Sequence, residues 1–271
     1  LVGIAVKEPK IISEFLWKSE VNNLHYWLIR NFIEAAKNMP CEYTSGLLTK
    51  IKDEKWLEKS ANHWLAFPLI ELFEKLLNAK EYELCLQLTR LLLQIKTPND
   101  REGGRSHLDT RGVIEKYEYD KLLEKFKDIP SDKLEEFVVL LMETLNSVWV
   151  GDNDYSIGWR AAIESSEQNW HSDDIPNTLV SCLRGCLEKY LNHVKNIGGD
   201  INTELKKIIP SKYKYSIFDR IRIHIYRLYQ DAFKQDIQQV IINFFDDTDV
   251  WHEYMLLLRE SFGKLSDKIK Q

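Results

Sequence analysis

The sequence predicts an all-α fold, and three observations predict it. Apolar residues recur at helical spacing along most of the chain. Turn formers are scarce, with 11 Gly and 7 Pro in 271 residues. Bulky aromatics are plentiful, with 8 Trp and 12 Tyr, which suits packing between helices.

Each element follows from its own pattern. Leu24, Leu28, Phe32 and Ile33 lie on one side of a helix that ends by Pro40. Leu65, Leu69, Leu72, Phe73 and Leu76 form a second stripe. Pro68 lies inside that stripe, so the helix begins or kinks there. Leu84, Leu88, Leu91, Leu92 and Ile95 repeat the spacing after a polar joint, Asn78-Ala79-Lys80. That predicts an antiparallel helix pair. Thr97-Pro98 and Gly103-Gly104 make residues 96–112 a loop. Leu134, Phe137, Leu141, Leu145 and Val148 predict the next helix, opened by Pro130 and Ser131.

Residues 150–175 are rich in Asp, Asn and Ser and read as a long connection. One short helix is expected in it, around Arg160 to Glu167. Leu179, Leu183, Leu187, Tyr190, Leu191 and Val194 predict a long helix, with Pro176 near its first turn and Gly198-Gly199 beyond its end. Ile217, Ile221, Ile225 and Leu228 predict another. Phe233, Ile237, Val240, Ile241 and Phe244 follow at the same spacing. Trp251, Tyr254, Met255, Leu258 and Phe262 complete the series, closed by Gly263.

Paired helices at recurring spacing suggest an irregular α-solenoid of the HEAT or tetratricopeptide kind. No strict repeat period is present, and an irregular helical bundle is the alternative. The expected organisation is an N-terminal helical block (1–95), a loop and connecting helix (96–130) and a C-terminal helical block (131–271), read as one continuous array. The chain starts at Leu1 without an initiator Met. The helix N-cap signal Ser266-Asp267 is followed by only four residues. Both features are read as marks of excision from a longer protein.

Composition narrows the function classes. Hydrophobic residues at 44% and charged residues at 29% describe an ordinary globular chain. A net charge of −5 gives no global attraction for nucleic acid or membranes. No apolar run reaches the roughly 18 residues of a membrane span. The apolar start Leu1–Val6 is too short for a signal peptide and has no basic residues before it. Cys41, Cys85, Cys182 and Cys186 form no CxxC pair. They read as small hydrophobes in a reducing, cytoplasmic compartment, with Cys182 and Cys186 on one helix face.

The motifs that would name a reaction fail. Gly103-Gly104 lacks the Lys-Ser or Lys-Thr of a phosphate loop. His252-Glu253 begins a zinc-protease pattern, but Leu256 stands where the second His belongs. Asp152-Asn153-Asp154 begins a calcium-loop pattern, but Ile163 stands where its last acid belongs. No Gly-x-Ser-x-Gly elbow occurs. His25, His63, His193, His224 and His252 fall on helices and read as surface or boundary residues. His107, with Asp109 and Arg111, lies in the 96–112 loop without an identifiable partner. No catalytic residue, metal or cofactor is expected.

Two sets remain as candidate contact residues. Arg160, Glu164 and Glu167 are spaced to share a short helix face beside Trp159 and Trp170. They read as a solvated ion-pair stripe or as a partner surface with Trp anchors. Lys206, Lys207, Lys212, Tyr213, Lys214, Arg220, Arg222 and Arg227 form a basic stretch, with Tyr215 and Tyr226 interleaved. Such a stretch suits nucleic-acid contact. Its alternative is a solvated face partly neutralised by Asp246, Asp247 and Asp249.

Several segments carry a resemblance. They are Phe67-Pro68-Leu69-Ile70, Tyr117-Glu118-Tyr119-Asp120, Trp159–Glu164 with Glu167-Gln168-Asn169, and His252-Glu253-Tyr254 with Leu256–Glu260 and Phe262-Gly263. Together these resemble the helical, repeat-like regions of large bacterial and archaeal proteins. Those proteins often carry a STAND-type nucleotide-binding module upstream and are frequently linked to antiviral defence. The resemblance spans residues 60–265 and supplies no catalytic residue. It implies that any nucleotide chemistry belongs to another part of such a protein.

The function expected is therefore a non-catalytic helical scaffold. Its partners would be a protein or other domains of the parent chain, and no membrane. A nucleic-acid-binding module using residues 206–227 is the second reading, and an unrecognised α-helical enzyme the third.

Overall fold

The computed structural model describes residues 1–18, 26–58, 64–96, 110–149, 154–166, 169 and 174–264. Among these, α-helices dominate and one two-residue strand pair is present, so the fold is all-α. The chain divides into two compact units, Leu1–Gly103 with Thr110–Ile129, and Gly104–Asp109 with Pro130–Gln271.

The first unit contains α1 (Val2–Lys7), α2 (Pro9–Lys18), α3 (Tyr26–Asn38), α4 (Thr44–Asp53), α5 (Ala66–Asn78), α6 (Tyr82–Leu92) and α7 (Lys116–Glu124). The expected pair is α5 and α6, which pack on each other. Pro68 is the third residue of α5, so it starts the helix rather than kinking it. At the other end, the Lys80 and Glu81 amides donate to the Leu77 and Leu76 carbonyls at 3.0 and 2.9 Å. This double closure needs a left-handed residue, and Lys80 supplies it at φ 63° where glycine is usual. Leu69, Leu72, Phe73, Leu76, Leu88 and Phe32 are fully buried in this unit. Phe73 stacks on Phe126 with ring centres 6.1 Å apart.

The sequence pattern overran α6. Ile95 was expected on that helix, but α6 stops at Leu92. Ile95 instead pairs with Gly112 in an antiparallel bridge between β1 (Ile95–Lys96) and β2 (Arg111–Gly112).

The second unit contains α8 (Leu134–Asn146), α9 (Ser156–Trp159), α10 (Ile175–Asn196), α11 (Ile201–Ile208), α12 (Ser216–Leu228), α13 (Lys234–Asn243) and α14 (Trp251–Ser261). α10 packs on α8 and α11, and α12 on α13 and α14. Asp174 caps α10 by accepting from the Asn177 amide at 2.8 Å, with Pro176 in the first turn. Gly198 ends the helix at φ 75°, where the Gly199 amide reaches the Val194 carbonyl at 2.8 Å. Leu141, Leu179, Leu183, Leu187, Ile217, Ile221, Ile225 and Leu257 are fully buried in this unit.

Two expectations are corrected here. Of the short helix predicted around Arg160–Glu167, the described residues 160–166 are not helical, and the helical turn lies earlier, at Ser156–Trp159. Arg160 leaves it in an extended conformation, φ −127° and ψ 103°. His224, expected at the surface or boundary, is 3% exposed, and its Nε2 is 2.9 Å from Glu188 Oε1. His25, His63, His107, Asp109, Gly103-Gly104, Asp152-Asn153, Glu167, Trp170 and Ser266-Asp267 lie outside the described residues. No helix among the described residues is long and apolar enough to cross a membrane.

Candidate contact surface

The 154–166 segment has little regular structure, so side chains must satisfy its polar backbone. Asp154 does this at one end. Its Oδ1 accepts from the Ser156 amide at 3.1 Å and from Ser216 Oγ at 2.6 Å. Its Oδ2 accepts from the Ile217 amide at 2.8 Å, in the first turn of α12. One carboxylate thus opens two helices, favoured by the unpaired amides and positive dipole end of each. Trp159 Nε1 donates to the Asp154 carbonyl at 2.9 Å, and its ring stacks on Trp149 with centres 5.8 Å apart.

Arg160 serves the middle of the segment. Its Nε donates to the Ala162 carbonyl at 2.7 Å and its Nη2 to the Ile163 carbonyl at 3.2 Å. Its Nη1 reaches Asn177 Oδ1 at 3.2 Å and Ser181 Oγ at 2.9 Å on α10. Burial, and then the charges of Arg184 and Arg220, push the guanidinium down to about 10. Arg160 is therefore still charged at neutral pH.

The deepest interaction joins α12 to α14. Arg220 Nε donates to Glu253 Oε2 at 2.7 Å, and Arg220 Nη2 donates to Oε1 at 3.0 Å. The two side chains are 1% and 0% exposed. The same two groups also hold the segment. Glu253 Oε1 accepts from the Ile163 amide at 2.9 Å, and Arg220 Nη2 donates to the Ala161 carbonyl at 3.2 Å. The planar fork of Arg suits this two-point contact, which Lys cannot reproduce.

Glu164 extends the network toward solvent. It accepts from Arg227 Nη1 at 2.6 Å and lies 3.3 Å from His252 Nε2. Burial works against its charge, but hydrogen bonding and attraction from Arg227, followed by His252, hold its carboxyl below the usual range. Arg227 also lies 3.7 Å from Glu260. α14 is thus held through Glu253 on its inner side and through His252 and Glu260 on its edges.

That grip sets which face of α14 turns outward. Glu253, Tyr254, Leu257 and Ser261 are buried. Trp251, Met255 and the following Phe262 are 47%, 42% and 49% exposed. With the half-buried Leu258 they recur at steps of four, three and four, the spacing of a helix-packing seam. Trp251, Met255, Leu258 and Phe262, with His252, Leu256 and Arg259, form an open, largely apolar patch along this one helix.

The two predicted contact sets are redistributed. Trp159 and Arg160 are 5% and 1% exposed, so neither presents a surface. Glu164 remains half-buried in its ion pairs, and Glu167 and Trp170 lie outside the described residues. The basic stretch does not form one face either. Arg220 and Tyr213 are buried. Arg222 pairs with Asp219 and donates to the Pro210 carbonyl at 3.0 Å. Arg227 is engaged by Glu164. Lys206 lies 3.1 Å from Asp236, and Lys207 pairs with Glu135. Lys212 and Lys214 are exposed, with Lys212 Nζ 5.3 Å from the Tyr213 ring centre. Acidic partners therefore oppose most of this charge.

Sequence reasoning missed Glu253 and Asp154, which it met only as fragments of failed metal motifs. One signal was available. Glu253 stands four residues before Leu257 and Arg220 three residues after Ile217, so each charge shares a helix side with core residues. Among the described residues, no group of three or more His, Cys, Asp or Glu side chains is placed to hold a metal ion.

Two outcomes follow for stability. Glu253→Gln removes the charge but keeps the shape, leaving Arg220 buried and unpaired. It should cost about 3–5 kcal/mol in urea denaturation. Replacing both partners, Arg220→Met with Glu253→Leu, should cost much less. A Glu253→Gln cost below about 1 kcal/mol, the range of exposed pairs, would overturn this account. The depressed Glu164 group contributes stability above its ordinary value of about 4.3, and that contribution disappears as pH falls through its lower folded value. The stability gap between wild type and Glu164→Gln should therefore shrink on acidification. A gap that is constant or grows contradicts it.

No protein-family model, curated protein or solved structure matches this chain.

Proposed function

We propose that the chain is a non-catalytic helical scaffold whose α14 face docks an amphipathic helix of a protein partner. The observation that carries this reading is the row Trp251, Met255, Leu258 and Phe262, turned outward by a fully buried ion pair. Burying a large apolar side chain contributes about 1.5–3 kcal/mol. Three or four such anchors meet the usual requirement of a helix-in-groove contact. Exposed Arg259 flanks the row, so the matching helix carries an acidic residue along that edge.

Several features support the wider reading. Irregular α-solenoids present surfaces of this kind. The resemblance to helical regions of STAND-type proteins fits a contact role within a larger, defence-related polypeptide. All four cysteines are free thiols, which agrees with a cytoplasmic setting.

The test uses labelled amphipathic peptides with identical apolar positions and either acidic or basic edges. The acidic-edged peptide should bind, the basic-edged one more weakly. Met255→Glu should weaken acidic-edged binding by about tenfold or more, or roughly 1.4 kcal/mol, with the far-UV circular dichroism unchanged. Equal binding of both peptides, no loss in Met255→Glu, or self-association through α14 in sedimentation would each refute the proposal.

A further inference from the structure

We propose that the interior between α10 and α12 holds one small monovalent anion, chloride in type, on the guanidinium groups of Arg184 and Arg220. The observation behind it is a pair of buried donors without acceptors. Arg184 Nε and Arg220 Nη1 are both buried and have no hydrogen-bond partner within the protein. Such atoms are rare in folded chains, because each gives up its bond to water and gains none in return. Both belong to charged groups, for which that loss is largest.

The surrounding bonds explain why the protein leaves them free. Arg220 spends Nε and Nη2 on Glu253, and Nη2 also donates to the Ala161 carbonyl at 3.2 Å. The rigid fork then turns Nη1 away from that carboxylate. Arg184 Nη1 reaches the Ile163 carbonyl at 3.4 Å, so the two guanidinium groups stand against the same short stretch of backbone. Glu188, one turn along α10 from Arg184, is already engaged. Its Oε1 accepts from His224 Nε2 at 2.9 Å and lies 3.8 Å from Arg184 Nε, beyond hydrogen-bond reach.

Local charge favours a small anion of single charge. Arg160 is buried here too, and its hydrogen bonds go to neutral oxygens of Ala162, Ile163, Asn177 and Ser181. Among the described residues, the carboxylates that contact the three guanidinium groups are Glu188 and Glu253. Three positive charges thus meet two negative ones. Repulsion from Arg184 and from Arg220 each exceeds the attraction that Glu253 or Asp174 exerts on Arg160. The field at this point is therefore positive. One negative charge balances the excess, whereas a multiply charged anion meets repulsion from both carboxylates. Exchange with solvent runs along α10, where the Arg184 and Glu188 side chains are 20% and 33% exposed. A water is the rival occupant, because His224 Nδ1, one turn along α12 from Arg220, is also buried without a partner.

The test measures chloride on the whole chain by chloride NMR line width and by urea denaturation. Excess line broadening should titrate as one site per chain and be removed by bromide. The urea midpoint should rise with chloride while sodium gluconate holds the ionic strength constant. An ion bound only by the folded state stabilises it, and gluconate screens equally but is too large to enter. Arg184→Met should abolish both effects with wild-type helix content. Arg222→Met, which removes a guanidinium paired with Asp219, should keep both. A water in place of the ion gives the same midpoint in chloride and gluconate, and that result overturns the proposal. Broadening that does not saturate, or effects undiminished in Arg184→Met, also overturn it. If Arg184→Met loses helix content, the two wild-type measurements decide.

Discussion

The second unit depends on one buried ion pair, Arg220 with Glu253. Removing two charges from water is expensive, and their attraction repays it only where the geometry is good and the remaining polar atoms are paired. Here Arg220 meets Glu253 at two points, and an amide and a carbonyl of the 154–166 segment take up further bonding capacity, while Arg220 Nη1 stays buried without a hydrogen-bond partner. Such a pair contributes little net stability compared with an apolar pair of equal size. Its effect is register. Glu253 can sit in that interior only if α14 has one rotation and one height relative to α12.

The register has a surface consequence. Once Glu253, Tyr254 and Leu257 face inward, Trp251, Met255, Leu258 and Phe262 face outward. Glu164, Arg227 and His252 then tie the same edge of α14 to the 154–166 segment. Asp154 and Arg160 hold that segment to the starts of α12 and α10. The residues that read from sequence as contact candidates are therefore largely the frame behind the contact surface.

The difference between sequence and structure has a physical origin. Helices whose burial repeats every three or four residues were legible, because the pattern is local. α5, α8, α10 and α12 fall where their apolar stripes predicted; α14 forms where predicted, but Trp251, Met255 and Phe262 of its expected stripe are exposed and Glu253, Tyr254, Leu257 and Ser261 form its buried side. The pairing of charges was not legible, because its partners are remote in sequence. Arg220 and Glu253 are 33 residues apart, and Asp154 and the Ile217 amide are 63. A basic residue cannot be assigned to surface or interior until its partner is located. For that reason Arg220 read as part of a nucleic-acid patch, and Arg160 as part of an exposed stripe. The Arg160–Glu167 spacing suited a helix, but the tertiary demand on Arg160 and on the Ile163 backbone prevailed over local propensity. Ile95 matched the helical pattern beyond the end of α6 because a strand bridge buries the same kind of residue.

The measurement closest to the central claim is native-state amide exchange in the Arg220→Met/Glu253→Leu variant. If the ion pair sets register, global stability stays near that of the wild type. The Ile163 and α14 amides then exchange at least about tenfold faster, equivalent to roughly 1.4 kcal/mol of lost local protection. Unchanged protection at Ile163 and along α14 would show that apolar packing alone places the helix, and would contradict the account.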